Sequence, residues 1–220
     1  MGYAKATKTI KLCTESKLYV FSSAFKTIKF FNSFFLIFYY TIDGVVIMDL
    51  KSKIRTVPHW PVEGVMFRDI TTLLQDGEAF KHACNEMYKR YKDMKIDVVV
   101  GIESRGFVFG SVLAYLLGVG FVPVRKPGKL PYKTVSEEYE KEYGKDKIIM
   151  HSDSIKKGQK VLLVDDLIAT GGTAAAAARL IEKLGGEIVE CAFLIDLPDL
   201  KGKEKLKAYK IFTLMEFEGE

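Results

Sequence analysis

The chain has 220 residues, enough for one sizeable domain or one domain with an appendage. Its 48% hydrophobic and 28% charged content is that of a soluble globular protein. Three scattered cysteines with no Cys/His cluster argue against a zinc site or a disulfide framework, and they suit a reducing, cytoplasmic setting. The net charge of +5 is uneven: residues 1–47 hold six lysines against Glu15 and Asp43, while the rest carries 27 basic and 26 acidic groups. With a net of only +1, that main body gives nucleic-acid binding no support.

Residues 1–47 stand apart. They hold 11 of the 27 aromatic residues and neither proline nor arginine. Three readings compete. A membrane segment needs roughly 20 mostly apolar residues, and Ile28–Ile47 comes near, but Lys29, Asn32 and Asp43 interrupt it. A targeting peptide fits lysines ahead of an apolar stretch, though a small-residue cleavage pattern is not clear. The preferred reading is an atypical extension outside the fold, with Met48 opening the domain proper.

From Met48 the pattern becomes that of a single domain, 48–220, with no membrane segment. Leu50, Ile54 and Val57 share a face and predict a short helix over 49–57, ended by Pro58 and Pro61. Residues 61–71 read as an irregular loop. The stripe Phe80, Ala83, Cys84, Met87, Tyr88 and Tyr91 predicts a helix over 79–94, with Cys84 in the core. Ile96–Ile102 reads as a buried strand, Phe107–Leu117 as a helix and Gly120–Val124 as another strand. The polar, mixed-charge stretch 125–146 predicts a functional lid or an insert. Ile148–Met150 reads as a returning strand.

Val161–Val164 predicts a central strand, ending at Asp165 and Asp166. Ala169, Thr170, Gly171, Gly172 and Thr173 then form a small-residue turn into a helix over 172–184. Backbone N–H groups there can converge on one anion at the positive end of the helix. Two carboxylates beside an anion cradle suit a ligand with both hydroxyls and a phosphate, so a sugar phosphate is the economical choice. The spacing fits neither the P-loop nor the dinucleotide fingerprint. Glu187–Leu197 is a long strand, 198–207 a basic loop or short helix, and 210–217 an edge strand. Alternating strands and helices define an α/β fold with a mostly parallel sheet.

The string VLLVDDLIATGGT resembles the phosphoribosyl pyrophosphate (PRPP) motif of type I phosphoribosyltransferases. Three more stretches carry the likeness further, in order: Pro-x-x-Gly-x-x-Phe-Arg-Asp at 61–69, GIESRGFVFG at 101–110, and RKPGKLP through EYG at 125–144. Together they resemble the adenine phosphoribosyltransferases over essentially all of 48–220. The resemblance implies the type I fold: a central, mostly parallel sheet flanked by helices, with a flexible lid over the site. It implies transfer of a 5-phosphoribosyl group from PRPP to adenine, giving AMP and pyrophosphate, with Mg2+ held mainly by PRPP and water rather than by protein ligands. It implies a homodimer.

By the same resemblance, Asp165 and Asp166 hold the ribose hydroxyls and Ala169–Thr173 hold the 5′-phosphate. Glu103, Ser104, Arg105 and Gly106 form a pyrophosphate loop containing a non-proline cis peptide, joined by Arg125 and Lys129. Met66, Phe67, Arg68 and Tyr143 surround the base, and Glu142 exchanges a proton with it, with Asp165 also near the ring nitrogens. Each basic residue taken alone reads equally as a solvated surface charge. Two alternatives keep the fold: another purine base, against which the Phe67 loop and Glu142 argue, or a PRPP-sensing regulator, against which the near-neutral body argues.

Overall fold

A computed structural model describes residues 9–14, 17–22, 39–42, 45–140 and 144–219. In chain order the strands and α-helices are β1 (Thr9–Thr14), β2 (Lys17–Ser22), β3 (Tyr39–Ile42), β4 (Val45–Met48), β5 (Arg55–Pro58), β6 (Met66–Asp69), α1 (Thr71–Gln75), α2 (Gly77–Tyr91), β7 (Val98–Ile102), α3 (Gly106–Leu117), β8 (Gly120–Val124), β9 (Thr134–Glu140), β10 (Lys145–His151), β11 (Lys160–Ile168), α4 (Gly172–Lys183), β12 (Glu187–Asp196) and β13 (Ile211–Glu216). By contact the chain divides into two units. One is Met1–Arg55 with Asp69–Ala79; the other is Thr56–Arg68 with Phe80–Glu220.

In the first unit, β1 pairs with β2 and β3 with β4, both antiparallel. No helix among the described residues is long and apolar enough to cross a membrane. Asp69 starts α1: its carboxylate accepts from the Thr71 N–H at 2.9 Å and the Thr71 hydroxyl at 2.7 Å. The helix expected over 49–57 is a single 3-10 turn, Lys51–Lys53, followed by β5. Asp49 closes that turn by accepting from the Lys51 N–H. Thr56 and Val57 then favour extended backbone, and Pro58 bars the helical conformation at the residue before it.

The second unit is built on one sheet, in the order β13-β12-β11-β7-β8. Every pairing in it is parallel. All five residues of β7 are buried, as a strand covered on both faces requires. Alanines 174, 176, 177 and 178 of α4 pack in the same core as Val100, Leu163 and Phe193. Cys84 and Cys191 are buried, and burial pushes their thiols up to about 11 and about 12. One charged pair is carried inside: Arg90 donates twice to the buried Glu190, both bonds at 2.6 Å.

The connections place the site. From β7 the chain passes through α3 to β8, on one side; from β11 it passes through α4 to β12, on the other. The direction of winding therefore reverses between β7 and β11, and open α/β sheets bind ligands at the carboxyl ends flanking such a point. The β11 strand pairs with β7 only as far as Val164–Gly101, yet with β12 as far as Ile168–Asp196. The sheet thus opens on the β7 side just where Asp165 begins. The strand was expected to end at Asp165 and Asp166; its pairing with β12 carries it two residues further, to Ile168.

Two polar stretches are more ordered than their composition suggests. The expected loop over 61–71 contains β6, paired with β5. The 125–146 stretch contributes β9, which forms an antiparallel hairpin with β10. Its apolar residues Tyr139, Ile148 and Met150 join the main core. Arg179 and Lys183 on α4 reach Glu137 on that same face, at 3.3 and 3.4 Å.

Candidate active site

A cavity of about 420 Å3 lies at the switch point. Its wall includes Glu103, Ser104 and Arg105 after β7, Arg125 and Lys126 after β8, and Tyr139 and Ile148 from the hairpin. Asp165, Asp166 and the whole turn Ala169–Thr173 complete it. Four stretches far apart in sequence are thereby brought to one opening.

Two close approaches shape the acidic side. A methyl group on Gly106 would stand 2.7 Å from the Asp165 carboxylate and 3.0 Å from the Val164 carbonyl oxygen. Only glycine lets α3 start so near β11. The Glu103–Ser104 peptide before it is cis, as the family resemblance implies. On the phosphate side, Gly171 has φ +73°, and a methyl group there would stand 2.3 Å from the Gly202 carbonyl oxygen. The turn is thus held by backbone packed on backbone, with the α4 N-terminus aimed into the cavity.

The two acids differ. Asp166 is buried and forms an ion pair with Arg105, Nε to Oδ2 at 2.6 Å. Asp165 accepts from the Asp166 N–H at 2.9 Å. Burial, and then the neighbouring Asp166 carboxylate, push the Asp165 carboxyl well above the ordinary carboxylate range. A proton held there costs less than a second buried negative charge. Arg105 also lies over the Phe67 ring, 5.3 Å from its centroid, and Trp60 meets the same ring edge-on, with centroids 4.4 Å apart.

The basic rim is arranged by carboxylates. Glu103 accepts from Arg125 through both oxygens, at 3.1 and 3.2 Å, and from the Lys126 N–H at 3.0 Å. The Arg125 bonds, first among the causes, lower the Glu103 pKa. Lys126 reaches Asp146 at 2.6 Å, and the Tyr139 hydroxyl donates to the same oxygen at 3.1 Å.

The expected residues fall into four groups. Glu103, Ser104, Arg105, Arg125, Asp165, Asp166 and Ala169–Thr173 line the cavity, and Gly106 packs directly behind Asp165. Phe67 adjoins it through Arg105. Met66, Lys129 and Arg68 are not on its wall. Lys129 contributes its carbonyl to Arg125 at 3.2 Å. Arg68 donates to the Thr56 hydroxyl at 2.9 Å and the Glu218 carbonyl at 3.2 Å, and lies over Phe217. Glu142 and Tyr143 lie outside the described residues. Lys126 and Tyr139 line the site without having been singled out. Lys126 carried a signal, its place beside Arg125 in RKPGK; Tyr139 carried none that set it apart from the charges around it.

Residues 71–219 match the phosphoribosyl transferase domain family. The adenine phosphoribosyltransferase of Desulfosudis oleivorans is 65% identical over 173 residues, 79% of this chain and 100% of that one. Among solved structures, the adenine phosphoribosyltransferase of Thermoanaerobacter pseudethanolicus is 48% identical with a TM-score of 0.75, covering 77% of this chain and 98% of that one. The Saccharomyces cerevisiae enzyme, solved with an imino-altritol bisphosphate and adenine, is 43% identical with a TM-score of 0.72, covering 76% of this chain and 96% of that one. A switch-point cavity with paired acids and an anion-binding turn defines the class, and the chain belongs to the phosphoribosyl transferase domain family, within its adenine phosphoribosyltransferase branch.

Proposed function

We propose that the chain salvages adenine: it transfers the 5-phosphoribosyl group of PRPP to adenine, giving AMP and pyrophosphate. The observation that carries this reading is the joining of Asp165, Asp166 and the Ala169–Thr173 turn with the Glu103–Arg105 loop around one cavity. The adenine bound by the yeast relative supports the choice of base.

The chemistry follows from charge. Breaking the bond from ribose C1 to pyrophosphate leaves positive charge on the ribose and negative charge on the leaving group, and adenine N9 then bonds to C1 and gives up its proton. The turn binds the 5′-phosphate at the α4 N-terminus and so positions C1. Asp165 and Asp166 accept from the ribose hydroxyls and lie near the developing positive charge. Arg105 balances Asp166 at 2.6 Å before substrate arrives. A ribose that engages Asp166 releases that guanidinium for the pyrophosphate, where Arg125 and Lys126 add positive charge. Adenine stacks on Phe67 in the space beside Arg105, and backbone groups at Met66–Phe67 read its 6-amino edge, leaving a polar group unpaired for a 6-oxo base. The proton acceptor is Glu142, a role that rests on its match to the family's Glu-Tyr-Gly.

Among the described residues no cluster of three or more His, Cys, Asp or Glu side chains could hold a metal by itself. The adjacent carboxylates Asp165 and Asp166 fit a Mg2+ carried largely by substrate oxygens and water, the usual habit of this ion. Bound there, it supplies charge neutralisation for the diphosphate.

The catalytic domain spans 48–220, a reading supported by the 173-residue length of the match to the Desulfosudis enzyme. The family resemblance supports a homodimer and a cytoplasmic setting. The direct test is turnover of adenine with PRPP and Mg2+ by the full chain and by a version starting at Met48, with hypoxanthine as competitor. AMP formation by both is the expected result. Preferred IMP formation would overturn the choice of base, and activity confined to the full chain would overturn the domain boundary.

A further inference from the structure

The phosphate turn leans on a segment about thirty residues further along. A methyl group on Gly202 would stand 2.1 Å from the Ala169 carbonyl oxygen and 2.8 Å from the Gly171 nitrogen. With the reciprocal approach of Gly171 to the Gly202 carbonyl, the two backbones fit with no atom to spare. Gly202 opens a 3-10 helix, Gly202–Leu206, entered through Lys201 at φ +53°. Two anchors hold that helix. Leu206 is fully buried in the main core. Lys203 reaches the buried Asp196 at the end of β12, Nζ to Oδ2 at 2.6 Å, and Glu216 at the end of β13 at 3.1 Å.

We propose that Lys203 is a positioning residue for phosphate binding: its ion pairs with Asp196 and Glu216 press Gly202 against the Ala169–Gly171 backbone and set the turn's geometry. The geometry argues for this because Asp196 also lies at the end of the β11–β12 register, opposite Ile168, where the turn begins. The Leu197 N–H donates to the Ile168 carbonyl at 3.1 Å, tying the same corner. A lysine that merely stabilised the surface would not need an aspartate with 2% exposure beside the strand end that launches the turn. Backbone N–H groups bind an anion only when they converge, so a shift of a few tenths of an ångström here weakens phosphate binding before it alters the rest of the site.

The inference rests on reading 169–173 as the phosphate turn. The test uses calorimetric binding of ribose 5-phosphate and of adenine by the full chain. Lys203→Met alone strands a buried carboxylate, so the working variant is Asp196→Asn with Lys203→Met. Gly202→Ala is read alongside it, because it disturbs the turn with the ion pairs in place. Both are expected to weaken ribose 5-phosphate at least tenfold and raise KM for PRPP similarly, with adenine affinity within about twofold and kcat within about threefold. Lys203→Arg is expected to restore the affinity. If the Asp196→Asn, Lys203→Met variant binds ribose 5-phosphate as wild type does, whatever Gly202→Ala does, or loses adenine and ribose 5-phosphate equally, the positioning role is wrong. Failure of the wild-type chain itself to bind ribose 5-phosphate, or its undiminished binding by Thr173→Ala, would instead overturn the reading of the turn, and this inference with it.

Discussion

The turn 169–173 and the hairpin 134–151 border the same cavity, but they are held in opposite ways. The turn sits between glycines that leave no room for a methyl group, Gly106 behind Asp165 and Gly202 beneath Gly171. The hairpin rests on the core through Tyr139, Ile148 and Met150, and half-exposed cations of α4, Arg179 and Lys183, meet Glu137 on that same face. Backbone packed on backbone has one arrangement, whereas ion pairs in water exchange readily with solvent. Under the proposed function the difference would divide the labour: a rigid half for the phosphate and ribose, and a separable half over the base and leaving group.

The largest expected effect comes from breaking the rigid half. Gly106→Ala would force its methyl group to 2.7 Å from the Asp165 carboxylate. Displacing a reacting group by about 1 Å costs on the order of 100-fold, so turnover at saturating substrates should fall at least that far. Near-wild-type turnover would show that the Asp165 site tolerates movement, and the contrast with the hairpin would lose its basis. Next comes the proposed proton acceptor. Glu142→Ala removes the proposed proton acceptor and should lower kcat by about 100-fold, the usual scale for a general base, with PRPP affinity changed less than about threefold. Unchanged turnover would remove Glu142 from the mechanism.

Much of the rigid half was legible in the sequence, for a physical reason. A strand buried on both faces must be apolar throughout, so Val98–Ile102 and Val161–Val164 announce themselves, and polar residues at their ends stand out by contrast. The hairpin was harder. Glu137 and Glu138 in β9 and Lys147 in β10 break the alternation that marks a strand, because their partners are charged side chains of other elements. Strand β6 hid likewise, its buried Arg68 satisfied by Thr56 across the pair and by Glu218 from the chain's end. Gly202 was illegible for another reason: its requirement comes from a turn thirty residues away, and no local pattern encodes a contact between two backbones.

A subtler effect separates the acids from the frame that holds them. Burial and the Asp166 carboxylate raise the Asp165 pKa above its value in the unfolded chain. The folded protein therefore favours the protonated form more than the unfolded chain does. Its contribution to stability is fully present below the unfolded pKa, near 3.9, and is lost as pH rises through the raised folded value. Asp165→Asn cannot lose that proton. The variant should melt progressively higher than wild type as pH rises from about 4 through the raised folded value, while its turnover falls. A melting difference independent of pH would mean that the buried charge costs the fold nothing.

The smallest effect should come from loosening the hairpin's ionic clasp on α4. Glu137 meets Arg179 at 3.3 Å and Lys183 at 3.4 Å, with about half of each basic side chain exposed. Pairs of this kind contribute about 0–1 kcal/mol, and salt screens them. Glu137→Gln should therefore change turnover less than about threefold at low salt, and the difference should vanish as salt is raised. The hairpin would still rest on Tyr139, Ile148 and Met150, which the substitution does not touch. A tenfold loss that persisted in high salt would place the hairpin with the turn as a rigid wall.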